Sequence, residues 1–191
     1  ISQSAFDKAN SFNSAFPLPP DGAMAEINVT TNLPATPLSE GMVIVPNDTE
    51  TGFWLITHNA GLSSFNITQI DATGISTIAQ TTIAGSPTVV NNLTYHEGSN
   101  RSGVSPGPGE SIILLDIDLA TGALTNAGID LSFLASPASD VFDMDWITSG
   151  DSLYISGDFG NATDDLFRVD LTATPINNDA IDTVLSTDFN N

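Results

Sequence analysis

A segment of seven to nine residues occurs three times along the chain, and each copy begins with a β-branched residue followed by aspartate. The first copy is Ile70-Asp71-Ala72-Thr73-Gly74-Ile75-Ser76, the second spans residues 117–125, and a third, degenerate copy spans residues 169–176. The aspartates of the three copies, Asp71, Asp118 and Asp170, are 47 and 52 residues apart. A recurrence at this period indicates a repeat architecture, in which each repeat is one supersecondary unit packed on its neighbours.

The residues of the segment predict a tight turn between two antiparallel strands. The aspartate caps the turn with its side chain, and glycine supplies a positive φ in the first two copies. Two more strands precede the turn, so one repeat makes a four-stranded antiparallel unit, and one helical turn is expected near Leu131–Leu134. The sequence predicts strands at Met42–Val45, Phe53–Thr57, Ser64–Ile70, Ile75–Thr82, Thr88–Tyr95, Ser111–Ile117, Ala123–Asn126, Phe142–Ile147, Ser152–Ser156, Asp165–Val169 and Ile181–Leu185.

A four-stranded repeat of about 45–50 residues has the size of a β-propeller blade. The segment resembles the Ile-Asp-x-x-Thr-Gly turn that joins the third and fourth strands of secreted bacterial propeller repeats, and the resemblance covers about residues 41–187. It implies an all-β chain of three blades, with part of a fourth from residues 21–40. A closed propeller needs at least about four blades, so either the chain is a piece of a larger propeller or partner chains complete it. The alternative fold is a β-sandwich built from the same short strands.

The first 20 residues differ from the rest, and we expect them to form a segment of their own before a β-repeat domain at residues 21–191. Apolar residues recur there at helical spacing and prolines follow: Ala5, Ala9, Phe12 and Phe16, then Pro17, Pro19 and Pro20. Two interpretations stay open. The segment is either a short helix packed on the domain or an arm that docks on a neighbouring subunit.

The charge balance excludes two classes of partner. The chain has 23 acidic residues against three lysines and arginines, which gives a net charge of −20. So few cations cannot hold a phosphate backbone, and an anionic membrane surface would repel the chain. Hydrophobic residues nevertheless make up 40% of the sequence, which is typical of a folded domain and not of an acidic disordered tail. We therefore expect protein or glycan partners, and no nucleic acid.

Several features predict a secreted protein. The chain has no cysteine, which excludes disulfides and thiolate metal sites. It begins at Ile1 rather than at methionine, as expected after removal of a signal peptide, and no apolar run reaches the roughly 18 residues of a membrane span. In a source that glycosylates its secreted proteins, six sequons predict glycan sites at Asn28, Asn47, Asn66, Asn92, Asn100 and Asn161.

The loop at residues 157–165 is the densest group of hard oxygen ligands in the sequence. Ca²⁺ takes about six to eight oxygens from carboxylates, amides and carbonyls, and a loop that contains glycine can surround it. The candidate ligands are Asp158, Asn161, Asp164 and Asp165, although their order is not that of an EF-hand. The alternative is a polar hairpin loop without metal.

The run Asp143-Met144-Asp145-Trp146 alternates, so both carboxylates should lie on one face of a strand. In a propeller the first strand of each blade lines the central channel, where two carboxylates would hold a cation or act as an acid and base on a sugar. Glu97 is a further candidate for such chemistry. The simpler interpretation is that Asp143 and Asp145 are solvated strand positions.

Other residues point to structure more than to chemistry. His58 and His96 lie in different repeats without metal-ligand spacing, which favours turn or surface histidines with satisfied hydrogen bonds. Trp54 and Trp146 are expected in the core. The glycines and prolines of residues 98–110 predict a long surface loop.

These observations favour a non-catalytic extracellular β module for adhesion, surface structure or assembly with other chains, including a filament or oligomer subunit. The reason is an incomplete number of repeats without an assembled active-site motif. Two alternatives stay open: a carbohydrate-active propeller enzyme that uses Asp143, Asp145 or Glu97, and a binding module that is stabilised by calcium and takes glycans or proteins.

Overall fold

A computed structural model describes residues 37–134, 139–159 and 164–187 of the chain. These residues form three four-stranded antiparallel sheets, each a meander in sequence order. Blade 1 contains β1 (Leu38–Pro46), β2 (Gly52–Asn59), β3 (Ser64–Asp71) and β4 (Gly74–Thr82); blade 2 contains β5 (Val90–His96), β6 (Arg101–Pro106), β7 (Ile113–Ile117) and β8 (Leu124–Asn126); and blade 3 contains β9 (Ser139–Trp146), β10 (Ser152–Phe159), β11 (Asp164–Asp170) and β12 (Ile181–Thr187). The predicted N-terminal segment at residues 1–20 lies outside the described residues.

The first strands of the blades lie next to one another, β1 beside β5 and β5 beside β9. This arrangement is that of a propeller, in which the first strands surround a common axis. The all-β, propeller-like prediction of about three blades is confirmed. In the described part of the chain the helical elements are 3₁₀ turns of three residues each, and no helix there could cross a bilayer: Glu97–Ser99, Ser132–Leu134 and Asn178–Ala180.

Each repeated segment lies between the third and fourth strands of its blade, and its aspartate caps the backbone as predicted. The connection is a tight turn in blade 1, whereas in blade 3 it spans residues 171–180. The carboxylate of Asp71 accepts a hydrogen bond from the N–H of Thr73 at 2.7 Å, and those of Asp118 and Asp170 accept the equivalent bonds at 2.9 and 2.8 Å. Hydrogen bonds from neighbouring threonine hydroxyls lower the pKa of all three aspartates below the usual value. We call these residues the turn aspartates.

Two apolar clusters fill the spaces between the blades. The first lies between blades 1 and 2, and the second between blades 2 and 3, so blade 2 is covered on both faces. Trp54 belongs to the first cluster, and its indole N–H donates to the carbonyl of Leu119 at 2.8 Å in the repeated turn of blade 2. The repeated turn of blade 2 therefore has two roles. It reverses the chain between the third and fourth strands, and it packs on the preceding blade.

The prediction of a long surface loop at residues 98–110 was wrong. The segment contains β6, the second strand of blade 2, and Val104 and Ser105 in it are completely buried. Gly103 shows why the strand needs small residues, because a Cβ there would lie 3.1 Å from Met144 Cε of blade 3. Blades that approach this closely select the glycine and serines that otherwise predict a loop.

Candidate functional site

Each blade has two faces, and each end blade has one face on which no other described blade packs. On that face of blade 1, Met42, Ile44 and Phe53 are exposed, whereas Thr57, Asn66 and Thr68 are buried. We call the face toward the following blade the leading face, and the face toward the preceding blade the trailing face. The leading face of blade 1 packs on the trailing face of blade 2, and blades 2 and 3 pack in the same way. In the described ranges no further blade lies on the trailing face of blade 1 or on the leading face of blade 3.

The turn aspartates define equivalent positions in the three blades. Residues at the same distance before each turn aspartate hold the same place in the third strand. Residues of the first and second strands are equivalent when they pair, strand by strand, with equivalent residues of the third strand. Ile67, Leu114 and Leu166, for example, each lie four residues before the turn aspartate. Each position can therefore be compared in a covered and in an open blade.

The trailing face of blade 1 exposes apolar side chains at positions that the other blades bury. Met42 is 61% exposed, whereas its equivalents Leu93 and Val141 are 4% and 2% exposed. Ile44 is 57% exposed, whereas its equivalent Met144 is 3% exposed. Scattered exposed apolar residues need no explanation, but a contiguous set that matches two buried interfaces indicates a missing neighbour.

Three more residues complete this surface. Phe53 is exposed where its equivalent Leu153 is fully buried, and Leu55 and Ile70 are half-buried on the same face. Cross-strand pairing places Ile44 opposite Leu55, and Phe53 opposite Ile70. We call Met42, Ile44, Phe53, Leu55 and Ile70 together the open apolar face.

Sequence reasoning missed the open apolar face, although a signal for it was present. Residues 42–45 read Met-Val-Ile-Val, an apolar run without alternation. Such a run is typical of a strand that is buried on both faces. The leading half of that run, Val43 and Val45, packs against blade 2, and the trailing half is what stays open.

The leading face of blade 3 is more polar. Leu166 is half-buried there, although its equivalents Ile67 and Leu114 are core residues. Tyr154 takes the place that Trp54 holds in blade 1, and it is 37% exposed. With Ser156 these residues line a shallow cavity of about 120 Å³.

The predicted pair of carboxylates lies on this same leading face. Asp143 and Asp145 project from β9, the first strand of blade 3, as their alternation predicted, and both are exposed at the rim of the cavity. Asp143 accepts a hydrogen bond from Asn92 Nδ2, and Asp145 accepts one from Thr94 Oγ1 at 3.4 Å. Both carboxylates thus link the first strands of blades 2 and 3, and a role in sugar chemistry remains a prediction.

The histidines do not form one site. His58 was expected at a turn or on the surface, but it is completely buried in β2. Its Nε2 lies 3.0 Å from the carbonyl of Pro87, which can only accept, so Nδ1 accepts the hydroxyl of Ser39 at 2.8 Å. Burial lowers the pKa of His58, because it disfavours the charged form of the ring.

His96 fastens blade 2 to blade 3. It ends β5, its Nε2 contacts the carbonyl of Thr148 at 3.1 Å, and its ring lies 5.6 Å from that of Trp146. Gly150, in the turn between β9 and β10, leaves the space that this imidazole fills. The expectation of satisfied hydrogen bonds therefore holds for both histidines, and Trp54 and Trp146 are core residues as predicted.

The structure locates the candidate calcium loop only in part. β10 reaches Phe159 and β11 begins at Asp164, with Asp158 paired to Asp164 across the hairpin, while Asn161 lies outside the described residues. Asp165 is 4% exposed within β11 rather than in the loop. The described residues contain no group of three or more acidic or histidine side chains that could hold a metal. Calcium binding stays a prediction.

The sequons differ in accessibility. Asn66 is buried and donates to Asn59 Oδ1 at 2.7 Å, and Asn47 is buried while its Oδ1 accepts the N–H of Thr51 at 3.1 Å. Both would have to leave these contacts to carry a glycan, which disfavours them in the folded chain. Asn92 and Asn100 are half-buried, and Asn28 lies outside the described residues with Asn161.

Comparison with known proteins supports the fold and gives no support for a particular function. No protein-family model matches the sequence, and no curated protein matches it either. A functionally unknown protein from Desulfotomaculum acetoxidans superposes with a TM-score of 0.51 at 11% identity, over 78% of this chain and 42% of its own. At this identity the likeness shows the propeller-like architecture alone.

Two further solved structures are similar at lower scores. A candidate 6-phosphogluconolactonase from Bacteroides fragilis gives a TM-score of 0.49 at 13% identity, over 80% of this chain and 38% of its own. A chain of a nidogen/laminin complex gives 0.42 at 9% identity, over 76% and 48%. This chain spans less than half the length of all three structures.

Proposed function

We propose that the chain is a non-catalytic extracellular module that works by assembly with another protein chain, as in adhesion or surface structure. It contributes three propeller blades, and the partner chain supplies a blade that packs on the open apolar face. The observation that carries the proposal is the comparison of equivalent positions: Met42 is exposed where blades 2 and 3 bury Leu93 and Val141, and Ile44 is exposed where blade 3 buries Met144.

The physical argument rests on what an inter-blade contact contributes. Each apolar side chain of this size stabilises an interface by about 1.5–3 kcal/mol when it is fully covered. A contiguous apolar surface at the end of a row of blades has the shape of one more inter-blade contact. An open sheet face of this kind also promotes non-specific association unless a specific partner covers it.

An aspartate on the open apolar face tests the proposal. We expect wild-type chain to have a native mass above that of one chain by light scattering, and Ile44→Asp to have the mass of one chain. A buried, unpaired carboxylate costs several kcal/mol, while at this exposed position it leaves the single chain folded.

Leu62→Asp is the matched control, because Leu62 is 46% exposed in the loop after β2 and the chemical change is the same. This variant should keep the mass of the wild type. If the wild type is larger than one chain and Ile44→Asp keeps that mass, the open apolar face takes no part in this assembly, and the proposed function is wrong.

A further inference from the structure

We infer that the partner is a second copy of this chain, whose blade 3 packs with its leading face on the open apolar face. This inference rests on the proposed function and names its partner. Two copies would then contact each other twice, blade 1 of each on blade 3 of the other. The result is a closed ring of six blades with a twofold axis.

The leading face of blade 3 repeats a face that already packs on a blade within the chain. In blade 2, one cross-strand row of the leading face is Thr94, Gly103 and Leu114. The equivalent row in blade 3 is Asp143, Ser156 and Leu166. Both rows have a polar residue on the first strand, a small residue on the second and leucine on the third.

Within the chain, the row of blade 2 contacts a defined residue on the trailing face of the next blade. Gly103 and Leu114 pack with Met144 on the trailing face of blade 3, where a Cβ on Gly103 would lie 3.1 Å from Met144 Cε. The equivalent of Met144 in blade 1 is Ile44. The structure thus points to a contact of Ser156 and Leu166 of one copy with Ile44 of the other.

The polar residues of the leading face do not oppose this contact. Asp143 and Asp145 already accept hydrogen bonds from Asn92 and Thr94 at the inner edge of the blade. Blade 2 likewise presents polar Asn92 and Thr94 on its first strand and still packs on blade 3. The contact therefore resembles the interface between blades 2 and 3, which includes polar side chains, more than an entirely apolar interface.

The number of blades favours two copies. Propellers close with about four to eight blades, and the described residues supply three. Counted on the described residues, two copies give about six blades, which is within this range, and three copies give more than it allows. A head-to-tail contact closes into a ring when the rotation per copy divides the circle, and otherwise it extends into a filament.

Charge works against this association and sets the conditions of the experiment. Each copy carries a net charge of −20, so two copies repel each other at low ionic strength. At 0.1 M, salt screens most of the repulsion between exposed charges that are more than about 10 Å apart. The masses should therefore be measured at raised salt, where the apolar contact decides the outcome.

Complementation between two variants tests the inference. Ile44→Asp places the charge on blade 1, and Leu166→Asp places it on blade 3. Each variant alone should have the mass of one chain, with a dissociation constant at least about thirtyfold above that of the wild type. An equimolar mixture should regain a two-chain species, because it restores one interface between an intact blade 1 and an intact blade 3.

Native mass spectrometry identifies the mixed species, with one variant labelled with ¹⁵N because the two unlabelled variants have equal mass. Circular dichroism confirms that each variant is folded, and Leu62→Asp serves as control. If Leu166→Asp keeps the wild-type mass while Ile44→Asp loses it, the inference is overturned and the proposed function stands. If both variants lose association and the mixture does not regain it, the contact is not head-to-tail.

Two other results would also overturn the inference. If Ile44→Asp keeps an oligomeric mass, both the inference and the proposed function fall. If the wild type has the mass of one chain at raised salt, a second copy is not the partner and the inference is overturned; if removal of residues 1–36 then induces association, the N-terminal segment covers the open apolar face.

Discussion

Gly122→Ala is expected to destabilise the chain by about 2–4 kcal/mol, because it adds overpacking to backbone strain. Gly122 has a φ of 72°, and a Cβ there would lie 2.8 Å from Ile67 and 2.9 Å from the ring of Trp54. The substituted turn of blade 2 would have to move away from blade 1. Urea unfolding, followed by tryptophan fluorescence and by circular dichroism, measures the loss.

Gly128→Ala separates strain from overlap. Gly128 also has a φ of 72°, but a Cβ there meets nothing within 4 Å. The strain alone costs about 1–2 kcal/mol, so this variant should lose clearly less stability than Gly122→Ala. Equal losses in the two variants would mean that the repeated turn of blade 2 does not pack on Trp54.

Leu114→Ala is expected to cost about 2–5 kcal/mol, because it leaves a cavity between blades 2 and 3. Leu114 is completely buried, and Leu166 is its equivalent on the open leading face of blade 3. In the single-chain Ile44→Asp variant, Leu166→Ala should cost at most about 1 kcal/mol. The same chemical change thus compares a covered and an open face.

The measurement is the free energy of unfolding from denaturant titration of Leu114→Ala and Leu166→Ala, each made in the Ile44→Asp variant. The difference between them reports whether a blade covers leucine at this position. If Leu166→Ala costs as much as Leu114→Ala in the single chain, the chain itself covers the leading face of blade 3. The assignment of that face as open would then be wrong.

The parts of the fold that could be predicted are those set by nearby residues. The turn at Asp118 and Gly122 depends on a side-chain cap and one positive φ, which are properties of consecutive residues. The sequence predicted the aspartate cap in each blade and the glycine with positive φ in blades 1 and 2. The shared face of Asp143 and Asp145 followed from strand alternation in the same way. Because both features are local, no knowledge of the packing between blades was needed.

The parts that could not be predicted depend on contacts between blades. β6 was not predicted because Gly103 is small where it packs against Met144, which lies 41 positions further along the chain. His58 was expected near solvent, and it is buried because Ser39 and Pro87 satisfy both ring nitrogens. In both cases the deciding partner is distant in sequence.

The candidate interaction surface is identified by exposure in the fold together with equivalence between the blades, and by neither alone. Met42 and Ile44 look like ordinary core residues in the sequence. In the fold they are exposed, and equivalence with Leu93, Val141 and Met144 then identifies them as half of an interface.

Oxidation of methionine tests the central claim most directly, because it reports whether the open apolar face is covered. The described residues contain two methionines, Met42 on that face and Met144 in the core, at 61% and 3% exposure in the single chain. Thioether oxidation by dilute peroxide requires access to the sulfur. In the native wild type we expect Met42 to oxidise nearly as slowly as Met144, and in Ile44→Asp we expect it to oxidise rapidly. Rapid oxidation of Met42 in both proteins at every concentration would contradict the account.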